Sequence, residues 1–117
     1  MNPAMHEVSI MDSTLRLAEK HARDAGASVI TRLWLRIGPL SGVDPDALFF
    51  AFDALKEETL AQSASLQIER VPAQFHCTDC GADFDLIEAR SICPRCKGLL
   101  SVAGGGGELE LAKLEIN

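Results

Sequence analysis

The sequence predicts an α+β fold: two helices packed on a small mixed sheet, with a module carrying all four cysteines inserted before the last strand. Three observations predict it. Apolar side chains recur first at helical and then at strand spacing, in the order helix, strand, helix, strand. The cysteines fall into two C-x2-C pairs, and Gly104 to Gly107 separate them from one more apolar-rich stretch.

Val8, Met11, Leu15, Ala18 and Ala22 form one stripe at steps of three and four, so a first helix is expected over about residues 8 to 24. Gly26 follows as the natural left-handed cap. In residues 29 to 37, Val29, Leu33, Leu35 and Ile37 share one face and Arg32 and Arg36 the other, the pattern of a half-buried strand. Asp44 then Pro45 read as an N-cap with proline at the first helical position. The second helix is expected to run to about Leu60, burying Leu48, Ala51, Phe52 and Leu55. Residues 65 to 71 and 108 to 116 alternate as strands, the latter slipping phase around Ala112-Lys113. The glycine run between the module and the last strand is expected to be a flexible return path. Residues 1–74 and 104–117 are therefore expected to form one domain, with 75–103 as the inserted module.

Composition narrows the function. A chain of 117 residues, 47% apolar, has room for one modest core, which excludes a multi-domain enzyme. Eleven basic against seventeen acidic residues give a net charge of -6 and no global field for phosphate, so nucleic acid is not expected as a partner. No apolar run is long enough to span a bilayer and no leader pattern opens the chain, so no membrane association and a cytoplasmic location are expected. There is no phosphate-binding glycine loop, no nucleophile elbow and no catalytic grouping of the three histidines, so no enzymatic activity is expected.

Cys77-Thr78-Asp79-Cys80 and Cys93-Pro94-Arg95-Cys96 stand twelve residues apart. Each pair can turn two sulfurs toward one ion, and four thiolates in a closed tetrahedral shell suit structural Zn(II), which makes the module zinc-ribbon-like. Iron in a rubredoxin-like site is less favoured because the loop between the pairs is short. A closed shell leaves no position for a substrate, so the ion is expected to substitute for a core that the module is too small to build. His76 beside Cys77 is either a partly exposed histidine or a substitute ligand when a thiolate is protonated. His21 is expected to face the C-terminal dipole of the first helix.

Met5-His6-Glu7 is weak evidence alone, yet an accessible imidazole beside main-chain nitrogens can hold in a square plane an ion that accepts that geometry, d8 Ni(II) or Cu(II). Taken in order, Met-His-Glu before an amphipathic helix, two C-x2-C pairs with proline in the second, and Gly107-Glu108-Leu109-Glu110-Leu111 near the end resemble the HypA/HybF family over about residues 5 to 117. The resemblance implies a nickel metallochaperone for maturation of nickel-iron hydrogenase. It would work with a maturation GTPase of the same pathway and the hydrogenase large subunit, and in some relatives with urease maturation proteins. It also implies nickel at His6 with the neighbouring acid at Glu7, and zinc at Cys77, Cys80, Cys93 and Cys96. In that family the initiator methionine stands directly before the histidine, whereas here Met1-Asn2-Pro3-Ala4 precede Met5. The alternative reading is a zinc-ribbon adaptor for proteins or nucleic acid, without nickel delivery.

Overall fold

The computed structural model describes residues 3–117, with side chains from Met5 onward; Met1, Asn2 and the side chains of Pro3 and Ala4 lie outside the described residues. Two helices and six strands follow in the order α1 (Pro3–Asp24), β1 (Ile30–Ile37), α2 (Pro45–Leu55), β2 (Ser65–Arg70), β3 (Ala73–Cys77), β4 (Asp83–Leu86), β5 (Leu100–Gly104) and β6 (Leu109–Ile116). The strands make two sheets of three, ordered β2-β1-β6 and β4-β3-β5. The chain divides into two compact units, one of residues 1–35, 43–68 and 111–117 and one of residues 36–42 and 69–110.

In the first unit α1 and α2 pack on each other. Helix α1 starts five residues earlier than the apolar stripe predicts. Pro3 suits a first helical turn because its missing N–H needs no partner there. The buried stripe then runs Glu7, Met11, Leu15, Ala18, Ala22, with a carboxylate where an apolar side chain would ordinarily stand. Val8, assigned to that stripe from the sequence, is only half-buried. The helix ends as expected: Gly26 takes φ 77°, its amide donates to the Arg23 carbonyl and the Ala27 amide to that of Ala22, satisfying the last turn.

Strand β1 buries Ile30, Leu33, Leu35 and Ile37. Val29 precedes the strand and is exposed, because Thr31 and Arg32 both face outward and shift the alternation by one residue. On the outer face the Trp34 ring lies 5.3 Å from the Arg32 guanidinium and 4.5 Å from the Lys113 ammonium. Helix α2 starts as predicted, with the Asp44 carboxylate accepting from the Asp46 amide at 3.0 Å, and buries Leu48, Ala51 and Phe52. It stops at Leu55, not Leu60. Glu58 adopts φ 64°, and the Thr59 hydroxyl both donates to the Lys56 carbonyl and accepts from the Ala61 amide, fixing a turn in place of another helical one. In strand β6 the exposed pair Ala112 and Lys113 makes the expected phase slip.

The second unit holds a sheet that the sequence did not announce. Strand β3 pairs antiparallel with β4 and with β5, placing Ala73 opposite Leu86 and Cys77 opposite Leu100. Ala73, Phe75 and Cys77 alternate inward and are buried. The glycine run is also not the loose connection expected of it. Gly106 is buried with φ 103°, its carbonyl accepts from the Leu40 amide at 2.7 Å and its own amide donates to Glu108 Oε1 at 2.8 Å. A Cβ at Gly106 would lie 2.7 Å from Leu40 Cδ1 and 3.0 Å from Ala73 Cβ, so close packing as well as backbone conformation requires glycine there.

Candidate metal sites

The two C-x2-C pairs fold into matching turns. In the first, the Gly81 amide donates to the Cys77 carbonyl and the Cys77 amide to Ala82; in the second, Lys97 donates to Cys93 and Cys93 to Gly98. The residue after each second cysteine has a positive φ, 76° at Gly81 and 69° at Lys97. The two turns meet closely enough that a Cβ on Gly98 would collide with the Asp79 carboxylate.

All four cysteines are free, Cys77 and Cys93 buried and Cys80 and Cys96 exposed. Their Sγ atoms lie within 4.8 Å of one another, with Cys77 3.5 Å from Cys96 and Cys80 3.8 Å from Cys93. A tetrahedron with metal–sulfur bonds of 2.3 Å has edges of about 3.8 Å, so the four thiolates fit a single ion of zinc's size and softness. This is a four-cysteine metal-binding site, and among the described residues no other group of three or more metal-ligating side chains converges.

Electrostatics prepare the cluster unevenly. Burial pushes the Cys93 thiol up, but amides of Cys96 and Arg95 and the thiols of Cys77 and Cys96 donate to its sulfur and together bring it down to about 7. For Cys96 the Gly98 amide acts downward, yet the Cys77 thiol interaction, burial and the neighbouring Cys80 and Cys93 sulfurs outweigh it and push it up to about 12. The surroundings thus favour the thiolate at one sulfur and disfavour it at another.

His76 lies outside this cluster, its Nδ1 2.6 Å from Asp83 Oδ1 across the β3–β4 pair. Asp83 was not singled out by the sequence, since only strand pairing brings it to His76. His21 is exposed near the end of α1 and lines a shallow groove with Leu17 and Leu111 to Leu114.

His6 and Glu7 sit in the opening turns of α1, fifteen residues and, at 1.5 Å per residue, about 22 Å along the helix from His21. The imidazole is half exposed, with Nδ1 3.4 Å from Glu7 Oε1. Glu7 is 2% exposed, and its Oε2 has no hydrogen-bond partner among the described residues. A buried carboxylate oxygen left unpaired is costly unless a water or an ion meets it.

These features lie in a chain whose residues 5–116 match the family model described as hydrogenase/urease nickel incorporation, metallochaperone. The chain belongs to the HypA family. It is 38% identical over 112 residues to the hydrogenase maturation factor HypA of Albidiferax ferrireducens, covering 96% of this chain and 99% of that protein. To the factor of the same name from a Picosynechococcus strain it is 42% identical with the same coverage. The solution structure of the Ni metallochaperone HypA from Helicobacter pylori superposes with a TM-score of 0.64 at 30% identity, covering 94% of this chain and 96% of that one. The two-helix, mixed-sheet fold with a cysteine-built module is thus that of HypA relatives.

Proposed function

We propose that this chain is a nickel metallochaperone that carries Ni(II) at His6, with Glu7 beside it, and delivers it during maturation of nickel-iron hydrogenase. The observation that carries this reading is the pairing of an exposed imidazole with a buried, half-satisfied carboxylate at the start of α1. Membership of the HypA family supplies the cargo and the client. Imidazole with ionised main-chain nitrogens favours the square plane that d8 Ni(II) accepts, whereas the four thiolates favour a tetrahedral ion. Nickel and the resident metal are therefore kept apart by geometry.

The resident ion is zinc at Cys77, Cys80, Cys93 and Cys96, stabilising residues 75–103 and taking no part in transport. The setting is the cytoplasm, and the partners are the GTPase of the same maturation pathway and the hydrogenase large subunit, with urease maturation proteins as further candidates. The chain acts by binding and handing over an ion, not as an enzyme. Nickel titration of zinc-loaded protein tests the reading: His6→Ala abolishes the yellow, diamagnetic nickel complex and leaves zinc at one ion per chain. Full nickel binding by His6→Ala, with loss on changing two cysteines, would reverse the assignment of the metals.

A further inference from the structure

Strand β5 is an edge of the β4-β3-β5 sheet, and its two edges are guarded very differently. The β4 edge carries Asp83 and Asp85, the alternating charge by which proteins discourage strand addition. The β5 edge, Leu100-Ser101-Val102-Ala103-Gly104, carries no charge and no proline. Beyond the amide of Leu100, which donates to Ser91, no backbone partner is present on its outer side among the described residues of this unit. Leu100 and Val102 line an open groove of about 420 Å³ together with Phe75, Leu40 and Arg90. Val102 is 49% exposed and Leu99, at the entrance to the strand, 68%.

Charge singles out the same region. Of eleven Lys and Arg residues, seven pair with a carboxylate and Lys113 lies over Trp34. The remaining three, Arg90, Arg95 and Lys97, have no carboxylate partner among the described residues, and all are exposed. Arg90 lines the groove, while Arg95 and Lys97 belong to the cysteine turn that leads through the Ile92–Leu99 bridge into β5. The nearby carboxylate of Asp79 packs against Gly98 and forms no ion pair with them. None of the three has a carboxylate to answer it: Arg90 lines the open, uncharged edge, and Arg95 and Lys97 stand in the turn leading to it, where the cysteine thiolates share their charge once an ion is bound.

We infer that β5 is a docking edge for an extended segment of a partner protein that alternates apolar side chains with Asp or Glu. The segment's main chain pairs with β5, its apolar side chains enter the groove over Phe75, and its carboxylates meet Arg90, Arg95 and Lys97. This goes beyond nickel carriage and stands whether or not His6 binds nickel.

A phage-displayed library of random 12-residue peptides, panned on the metal-loaded full chain, tests the inference. Enriched peptides are expected to combine Asp and Glu with apolar residues at alternate positions and to protect the amides of Ser101 to Ala103 from hydrogen exchange. Val102→Lys, which places a charge on the edge, and the triple change Arg90→Glu, Arg95→Glu, Lys97→Glu should each weaken a selected peptide at least tenfold while retaining one metal ion per chain. If one variant loses its metal, the other decides. No enrichment, enrichment of basic peptides, or equal binding by a metal-loaded variant overturns the proposal. So does displacement of the selected peptide by a 12-nucleotide oligothymidylate, which assigns the cations to nucleic acid, or a dimer in sedimentation that Val102→Lys dissolves, which assigns the edge to a second copy.

Discussion

Replacing Glu7 with methionine should make the protein more stable and a poorer nickel carrier. Glu7 occupies a core position on α1, in line with Met11 and Leu15, yet its Oε2 has no partner among the described residues. An unsatisfied buried polar group costs about 1–3 kcal/mol, and more if charged. Methionine has nearly the same length and volume, so Glu7→Met removes that cost without opening a cavity. Against it stands loss of the 3.4 Å contact with the half-exposed His6, a pair of the kind worth at most about 1 kcal/mol. Taking the mid-range cost of about 2 kcal/mol, the balance is a gain of about 1–2 kcal/mol, or a rise in Tm of roughly 4–8 °C for a domain of this size. Urea unfolding of zinc-loaded, nickel-free protein, followed by the fluorescence of Trp34, reads the relevant unit, because this sole tryptophan lies on β1 in the same unit as α1. A midpoint unchanged or lowered by the substitution would refute the claim that Glu7 is held against stability. A raised midpoint with undiminished nickel affinity would uphold that claim and remove Glu7 from the nickel site.

Metal loading of the cysteine site should release protons and weaken as pH falls. With Cys96 up at about 12 and Cys93 down at about 7, the affinity should drop at least tenfold per pH unit from 9 to 7 and more steeply below 7, where Cys93 also holds its proton; calorimetry in buffers of different ionisation heat counts those protons. Gly106→Ala should cost about 2–4 kcal/mol, combining steric overlap with strain at φ 103°, while Gly107→Ala, with nothing within 4 Å of its added methyl, should leave the urea midpoint nearly unmoved. Lys97→Gly should stabilise the metal-loaded form by about 1 kcal/mol, since glycine adopts φ 69° without penalty, and thermal unfolding reads the gain. A chain beginning at Met5 should bind nickel more tightly than the full sequence, because its free amine joins the adjacent imidazole, and acetylating that amine should cancel the gain in calorimetry.

Elements whose apolar period persists for two turns or more were legible in the sequence. Met11, Leu15, Ala18 and Ala22 mark α1, and Asp44-Pro45 marks the start of α2, because capping and periodicity are local properties. What escaped depends on neighbours distant in the chain. Strands of four or five residues such as β4 carry too little pattern to register: Asp83-Phe84-Asp85-Leu86 alternates polar with apolar, but over four residues only, and it is pairing with β3 that makes it a strand. The glycine run looked permissive because a glycine required by close packing and a glycine that merely bends are the same letter. Only Leu40 and Ala73 against Gly106 tell them apart. The cysteine site was legible down to its residues, since its turns are local and repeat the same hydrogen bonds. The start of α1 was not, because Glu7 interrupts the apolar stripe whose continuation would have announced it.

That interruption ties the fold to the proposed cargo. With α1 beginning at Pro3, helical pairing commits the Glu7 amide to the Pro3 carbonyl, so a main-chain nitrogen at Glu7 becomes a nickel ligand only when the opening turn of the helix unwinds. An apolar residue at position 7 would hold that turn against the core. A half-satisfied carboxylate holds it more weakly, and on the proposed reading nickel binding recovers part of what its burial costs. On the proposed reading, then, the residue that makes the beginning of α1 hard to see in the sequence is the one that lets this turn open around an ion while Met11, Leu15, Ala18 and Ala22 keep the rest of the helix packed.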